Sequence, residues 1–107
     1  MIMYSRLEYD IHHERPHDSA TSEGPDDVAS LEAPSSSAGG LFSVETNAVR
    51  ITFDGSDPTG SHGVVFDVGT HFVPLGREFR FVSNGDGPAT VSVLWVRTKL
   101  QGAPTSE

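Results

Sequence analysis

The sequence predicts an all-β fold: a small antiparallel β-sandwich or barrel of about six strands, preceded by an extended N-terminal arm. Three observations carry this. Short runs from Leu41 onward alternate apolar and polar residues with the period of a strand buried on one face. Those runs are separated by Asp-Gly, Asn-Gly and Gly-Pro turn formers. The first forty residues lack the apolar content to build a core.

The clearest run is Val49 to Phe53, with Val49, Ile51 and Phe53 on one face and Arg50 and Thr52 on the other. Asp54-Gly55 and Asp57-Pro58 end it, since glycine tolerates left-handed backbone and proline fixes φ. Leu41 to Glu45 alternates in the same way, and Thr46-Asn47 reads as a tight turn joining the two runs into a hairpin. Val64, Phe66 and Val68 give a third strand closed by Gly69. Pro74 cannot donate to a ladder, so Thr70 to Gly76 reads as an edge strand or irregular crossing. Phe79 and Phe81 face inward from the next strand. Asn84-Gly85-Asp86-Gly87-Pro88 then reads as a hairpin turn into a final strand, Ala89 to Arg97, with Val91, Val93 and Trp95 inward. On its other face this strand changes from Thr90 and Ser92 to Leu94 and Val96, so its second half is expected to be covered on both sides.

The inward set is Phe42, Val44, Val49, Ile51, Phe53, Val64, Phe66, Val68, Phe79, Phe81, Val91, Val93 and Trp95. That is a thin core for a domain of about 55–60 residues, a size at which stability is marginal and an oligomer or host surface is expected to contribute. The organisation predicted is an acidic arm over 1–40 ordered only by partners, a β-domain over 41–98 and a flexible tail over 99–107. Within the arm, Ile2, Tyr4, Leu7, Tyr9, Val28 and Leu31 are the apolar residues expected to contact a partner.

The formal net charge is −8 over 107 residues, with eight Asp/Glu against two Arg in 1–40 and seven against five Lys/Arg in 41–107. Nucleic-acid binding through a clustered basic surface is therefore not expected. No apolar run reaches the roughly 20 residues of a membrane-spanning helix, and no export signal is read at the N-terminus. With no cysteine, disulfides and thiolate metal sites are excluded.

Several groups invite a chemical reading. His12, His13, Glu14 and His17 have metal-ligand chemistry and would suit a solute or metal carrier, but they lie in a segment without a scaffold; a solvated polar arm outweighs that reading, and no metal or other cofactor is expected. Asp54, Ser56 and Asp57 place oxygens in one loop, short of the six to eight that calcium takes, so a structural turn is favoured. Asp54, Asp57, Asp67 and Asp86 with His62 and His71 are conceivable acids and bases, yet nothing sets a pair at a defined distance. No nucleophile elbow, phosphate loop or zinc motif occurs, so no catalytic residue is assigned and the chain is not expected to be an enzyme. Trp95, Phe72 and Tyr4 could stack on sugars, although the register of Trp95 with Val91 and Val93 favours the core.

The segment from Val44-Glu45-Thr46 through the Val49 to Phe53 strand, Asp54-Gly55-Ser56-Asp57-Pro58-Thr59, Gly63, Gly69, Phe79 to Phe81 and Ala89 to Val93 resembles a group of small tailed-bacteriophage and prophage structural proteins. The resemblance covers about residues 41–97. Ser61-His62-Gly63 reverses the Gly-His order of that pattern, and the arm has no counterpart in it. The hexapeptide Asp54 to Thr59 is also similar to a small β-sandwich appended to glycan-processing enzymes. The phage resemblance implies a non-enzymatic virion protein, made in the host cytoplasm, with head decoration or cement favoured and a tail or head-tail adaptor component or a carbohydrate-binding module as alternatives. It implies major capsid protein or other virion proteins as partners, a homo-oligomer, no nucleic acid and no membrane, with glycan as a lesser candidate. On that reading, removal of residues 1–40 should abolish attachment and leave the domain folded.

Overall fold

The computed structural model describes residues 6–11, 16–35, 37–59, 61–74 and 77–101. Among these it is all-β, with nine strands: β1 (Arg6–Ile11), β2 (His17–Ser22), β3 (Ala29–Glu32), β4 (Gly39–Glu45), β5 (Val49–Thr52), β6 (Val64–Phe66), β7 (Gly69–Val73), β8 (Glu78–Ser83) and β9 (Ala89–Gln101). They form two antiparallel sheets packed face to face. One, sheet A, has the order β1-β9-β4-β7, and β2 lies beyond β1 along the same side of β9; the other, sheet B, has the order β3-β8-β5-β6. The predicted sandwich is therefore present, and β7 is an edge strand, one of the two readings offered for Thr70 to Gly76; Pro74 follows its last residue.

The connections differ from the expected hairpins. β4 and β5 lie in different sheets, as do β8 and β9, so Thr46-Asn47 and Asn84 to Pro88 carry the chain across the sandwich instead of folding it back beside itself. The two crossings brace one another. Asn47 Nδ2 donates to Pro88 O at 2.9 Å, and Asn84 N–H donates to Ala48 O at 2.8 Å. Thr46 adopts φ 80°, the left-handed value that swings the chain between layers. Among the described residues only β5 and β6 form a consecutive antiparallel pair, through the long 53–63 connection.

Between the sheets lies an aromatic chain. Phe42 and Phe79 rings are 4.9 Å apart, Trp95 meets Phe42 edge-on at 5.9 Å and Phe79 at 5.8 Å. Phe53 continues it, edge-on to Phe79 at 5.7 Å and 5.9 Å from Phe66. Such tilted and edge-to-face contacts add to area burial. Gly40 stands opposite Trp95 on β4. A Cβ there would lie 2.5 Å from Val93 Cγ2 and 3.1 Å from Trp95 Cε3, so the indole occupies the space a side chain would need.

The core departs from the predicted set at its rim. Val64 and Val68 are 50% and 56% exposed, because β6 is a three-residue edge strand and Val68 falls in the turn between layers. Their places are taken by Leu31, Ala33, Val73 and Ala89. Val82, in register with Arg50 on the outward face of β8, is also buried. Trp95 is fully buried, which removes it from any sugar-stacking platform.

The largest difference lies in the expected arm. Only part of 1–40 stands apart from the domain: β2 pairs with β9, from His17 opposite Leu94 to Ser22 opposite Ala89, and β3 pairs with β8. Leu31, expected to meet a partner, is 3% exposed inside the chain's own core. A clamp ties these strands in. Buried Ser22 Oγ accepts the Ser83 N–H at 2.9 Å, and its single proton is shared between Asp27 O at 2.6 Å and Gly24 O at 2.8 Å. Backbone ladders and this hydroxyl supply what the sparse apolar content of the segment does not. The expected tail is displaced as well: β9 continues to Gln101, so Lys99, Leu100 and Gln101 are strand.

Candidate functional site

The strand β9 is the spine of the molecule and behaves as two segments. From Thr90 to Val96 it is walled on both sides, by β4 (Glu45 to Gly39) and by β2, with the end of β1 beyond it. Beyond Val96, its last residue in register with β4, Arg97 to Gln101 pair only with Asp10 to Arg6 of β1 among the described residues. This two-stranded ribbon extends about 17 Å past the sandwich at the rise of an antiparallel strand. The register sets Glu8 opposite Lys99, Asp10 opposite Arg97 and Leu7 opposite Leu100. Two-stranded ribbons alone are marginal in water and leave backbone donors and acceptors open on their edges. Of the predicted partner residues, Leu7 and Tyr9 lie on this ribbon. Val28 lies before β3 and is 41% exposed. Ile2 and Tyr4 lie outside the described residues, as do His12, His13 and Glu14 of the metal-ligand candidate. Among the described residues no three His, Asp or Glu side chains gather as a metal-ion site.

The acidic loop after β5 brings together some of the acid and base candidates. Ser56 Oγ lies 2.6 Å from Asp54 Oδ1 and 2.8 Å from His62 Nε2. Its backbone N–H also reaches Asp54 Oδ1 at 3.0 Å. The two hydrogen bonds from Ser56, hydroxyl first, hold the Asp54 carboxyl below the ordinary aspartate range. A carboxylate so placed accepts the hydrogen bond of the Ser56 hydroxyl, which leaves His62 as donor to Ser56 Oγ. The direction is opposite to that of a general base activating a nucleophile. Thr52 Oγ1 donates to Ser56 O, and Arg80 closes the loop with Nη1 on Asp57 Oδ1 at 2.6 Å. Arg80 also donates from Nε and Nη2 to Glu78 Oε2 at 3.0 and 2.9 Å; Asp57 first and Glu78 second raise its pKa further. The loop is a staple: Asp54 and Asp57 are engaged by the chain itself. Beside it lies an open hollow of about 340 Å³ between Ile51, Phe53, His62 and Val64.

The other candidates are not brought to it. His71 stacks on Phe66 at 4.4 Å and 15°, and its Nε2 donates to the Asp67 carbonyl at 2.7 Å. Asp86 is exposed in the crossing loop before β9.

A surface the sequence reading did not single out is the outer face of sheet A. The register aligns His17, Leu94, Leu41 and Phe72 in one row across β2, β9, β4 and β7. The next row on the same face is Ser19, Ser92, Ser43 and Thr70. Strand alternation put Leu41, Ser43 and Ser92 on outward faces and Leu94 on a face expected to be covered, and gave His17, Ser19, Thr70 and Phe72 no face; only the cross-strand register, which is set by pairing between distant segments, shows that they line up.

These features define a small antiparallel β-sandwich protein with a projecting two-stranded ribbon. Comparison with family models, with curated proteins and with solved structures gives no match. No helix among the described residues is long and apolar enough to cross a membrane.

Proposed function

We propose that this chain is a non-enzymatic structural protein of a tailed-phage particle, a head decoration or cement protein that engages neighbouring virion proteins through the β1–β9 ribbon. The observation that carries the reading is that β9 continues from Arg97 to Gln101 with β1 as its sole described neighbour. An edge of this kind is completed by adding a strand from another chain, in the way sheets recruit extended peptides. The likeness of residues 41–97 to small phage structural proteins supports the virion setting. The net charge of −8 supports protein partners over nucleic acid.

The fold changes the truncation that tests this. Removing residues 1–40 would delete β2, β3 and Leu31 and so part of the core. Removing 1–11 takes away β1 alone. The truncated chain should keep its fold and lose attachment when added to particles lacking the full-length protein. Undiminished attachment of the truncated chain, or absence of the full chain from purified particles, contradicts the proposal. Immunolabel on tails instead of heads would assign the adaptor alternative.

A further inference from the structure

We infer that the outer face of sheet A is a binding trough for a neutral oligosaccharide lying across the strands. The row Ser19, Ser92, Ser43 and Thr70 has short side chains, and the adjoining row His17, Leu94, Leu41 and Phe72 has long ones, so the register itself cuts a channel with a hydroxyl floor and a largely apolar wall. Two hollows of about 290 and 480 Å³ meet there and share His17 and Ser92. Leu41 and Phe72 are 40% and 44% exposed in the wall.

The chemistry selects the occupant. A pyranose ring has one face of C–H groups, which packs on Leu41, Leu94 and Phe72, and a rim of hydroxyls, which exchange hydrogen bonds with serine and threonine. Thr21 and Thr90 in the row beyond pair their own hydroxyls at 2.9 Å; those of Ser19, Ser92, Ser43 and Thr70 make no hydrogen bond to another described residue and remain available. Neither row contains a carboxylate or a permanent cation. In a chain of net charge −8, with Asp18 lining the larger hollow and Glu45 opposite Thr90 in the row beyond, such a face discriminates against anionic ligands.

Size excludes a second copy of this chain as the stable occupant. The four strands span about 14 Å between outer axes and the rows from Thr21 to His17 about 13 Å, or roughly 180 Å². A stable protein–protein interface needs about 800 Å² per partner. A ligand of two or three sugar rings matches the trough.

This inference goes beyond the virion reading and is tested independently of particle attachment. The full-length chain is screened against arrayed neutral oligosaccharides, with polyanionic glycans as comparators, and a hit is mapped by amide chemical-shift changes. The expected result is binding of a neutral glycan with shifts confined to β9, β4 and the neighbouring stretches of β2 and β7. Phe72→Ala, at the sheet edge, should weaken it about tenfold, the loss of one good contact. Ser92→Leu, which fills the trough floor, should abolish it while the amide spectrum stays folded. No neutral glycan bound up to millimolar concentration, shifts mapping elsewhere, or dimerisation through this face in sedimentation would each overturn the inference.

Discussion

Within β9, Thr90 to Val96 and Arg97 to Gln101 share one strand and two environments. The first segment has a neighbour on each side and sends Val91, Val93 and Trp95 into a closed aromatic core. The second has β1 on one side and no other described strand. Continuous backbone does not imply continuous stability: local opening free energy follows buried contacts and ladder completion. The contrast separates what holds this protein together from what is offered to another molecule, and each segment can be perturbed without the other.

Breaking the core segment has the largest expected effect. Trp95→Ala should cost about 3–5 kcal/mol and, in a domain this small, leave little folded protein in a urea titration. Trp95→Phe should cost less, because the indole Nε1 is buried without a hydrogen-bond partner and its removal relieves an unmet donor. Gly40→Ala follows at about 1–3 kcal/mol through the clash with Val93 and Trp95.

Next in size is the clamp that joins β2 to sheet B. Ser22→Ala would strand the buried Ser83 N–H and should cost about 1–3 kcal/mol, read as a lowered melting temperature. If Ser22→Ala left stability unchanged, the Ser22–Ser83 contact would not be what ties β2 to sheet B.

A smaller effect on stability is expected in the ribbon. Leu100→Pro removes a backbone N–H from the open edge of β9, because Trp95 N–H on Pro16 O and Val96 O on Ala38 N–H set residues 96, 98 and 100 toward the β4 side; it should shift global stability by less than about 1 kcal/mol while reducing attachment to particles. The smallest effect lies in the acidic loop. Asp54 has a folded pKa below its unfolded one, so its contribution to stability is present above the unfolded value and is lost as pH falls through the folded value. Its carboxyl should titrate below ordinary aspartate in NMR, and Ser56→Ala, which removes the hydroxyl and keeps the backbone N–H, should move the midpoint part of the way back up; an unchanged midpoint would show that the Ser56 hydroxyl does not set it.

Strand identity was legible in the sequence where one face is strongly apolar: β4, β5, β8 and the first segment of β9 follow the alternation, with Phe42, Ile51, Phe79 and Trp95 buried as read. Sheet membership was not. Asn84 to Pro88 reverses the chain equally well whether the next strand pairs alongside or crosses to the other layer, and the deciding contacts, Asn47 to Pro88 and Ala48 to Asn84, join distant segments. β3 had a weak signal in Ala29-Ser30-Leu31-Glu32, where a single leucine marks the inward face. β2 had less, since Ala20 and Ser22 are too small to stand out beside His17, Ser19 and Thr21. The trough on sheet A is a property of register, so no window of sequence contains it.

Hydrogen exchange along β9 in the free chain and in the assembled particle tests the central claim most directly. Amides of Val91 to Trp95 should be protected close to the global limit in both states, and those of Thr98 to Gln101 should exchange fast in the free chain and become protected on assembly. Equal protection along the whole strand in the free chain, or no gain at Thr98 to Gln101 on assembly, would contradict the account.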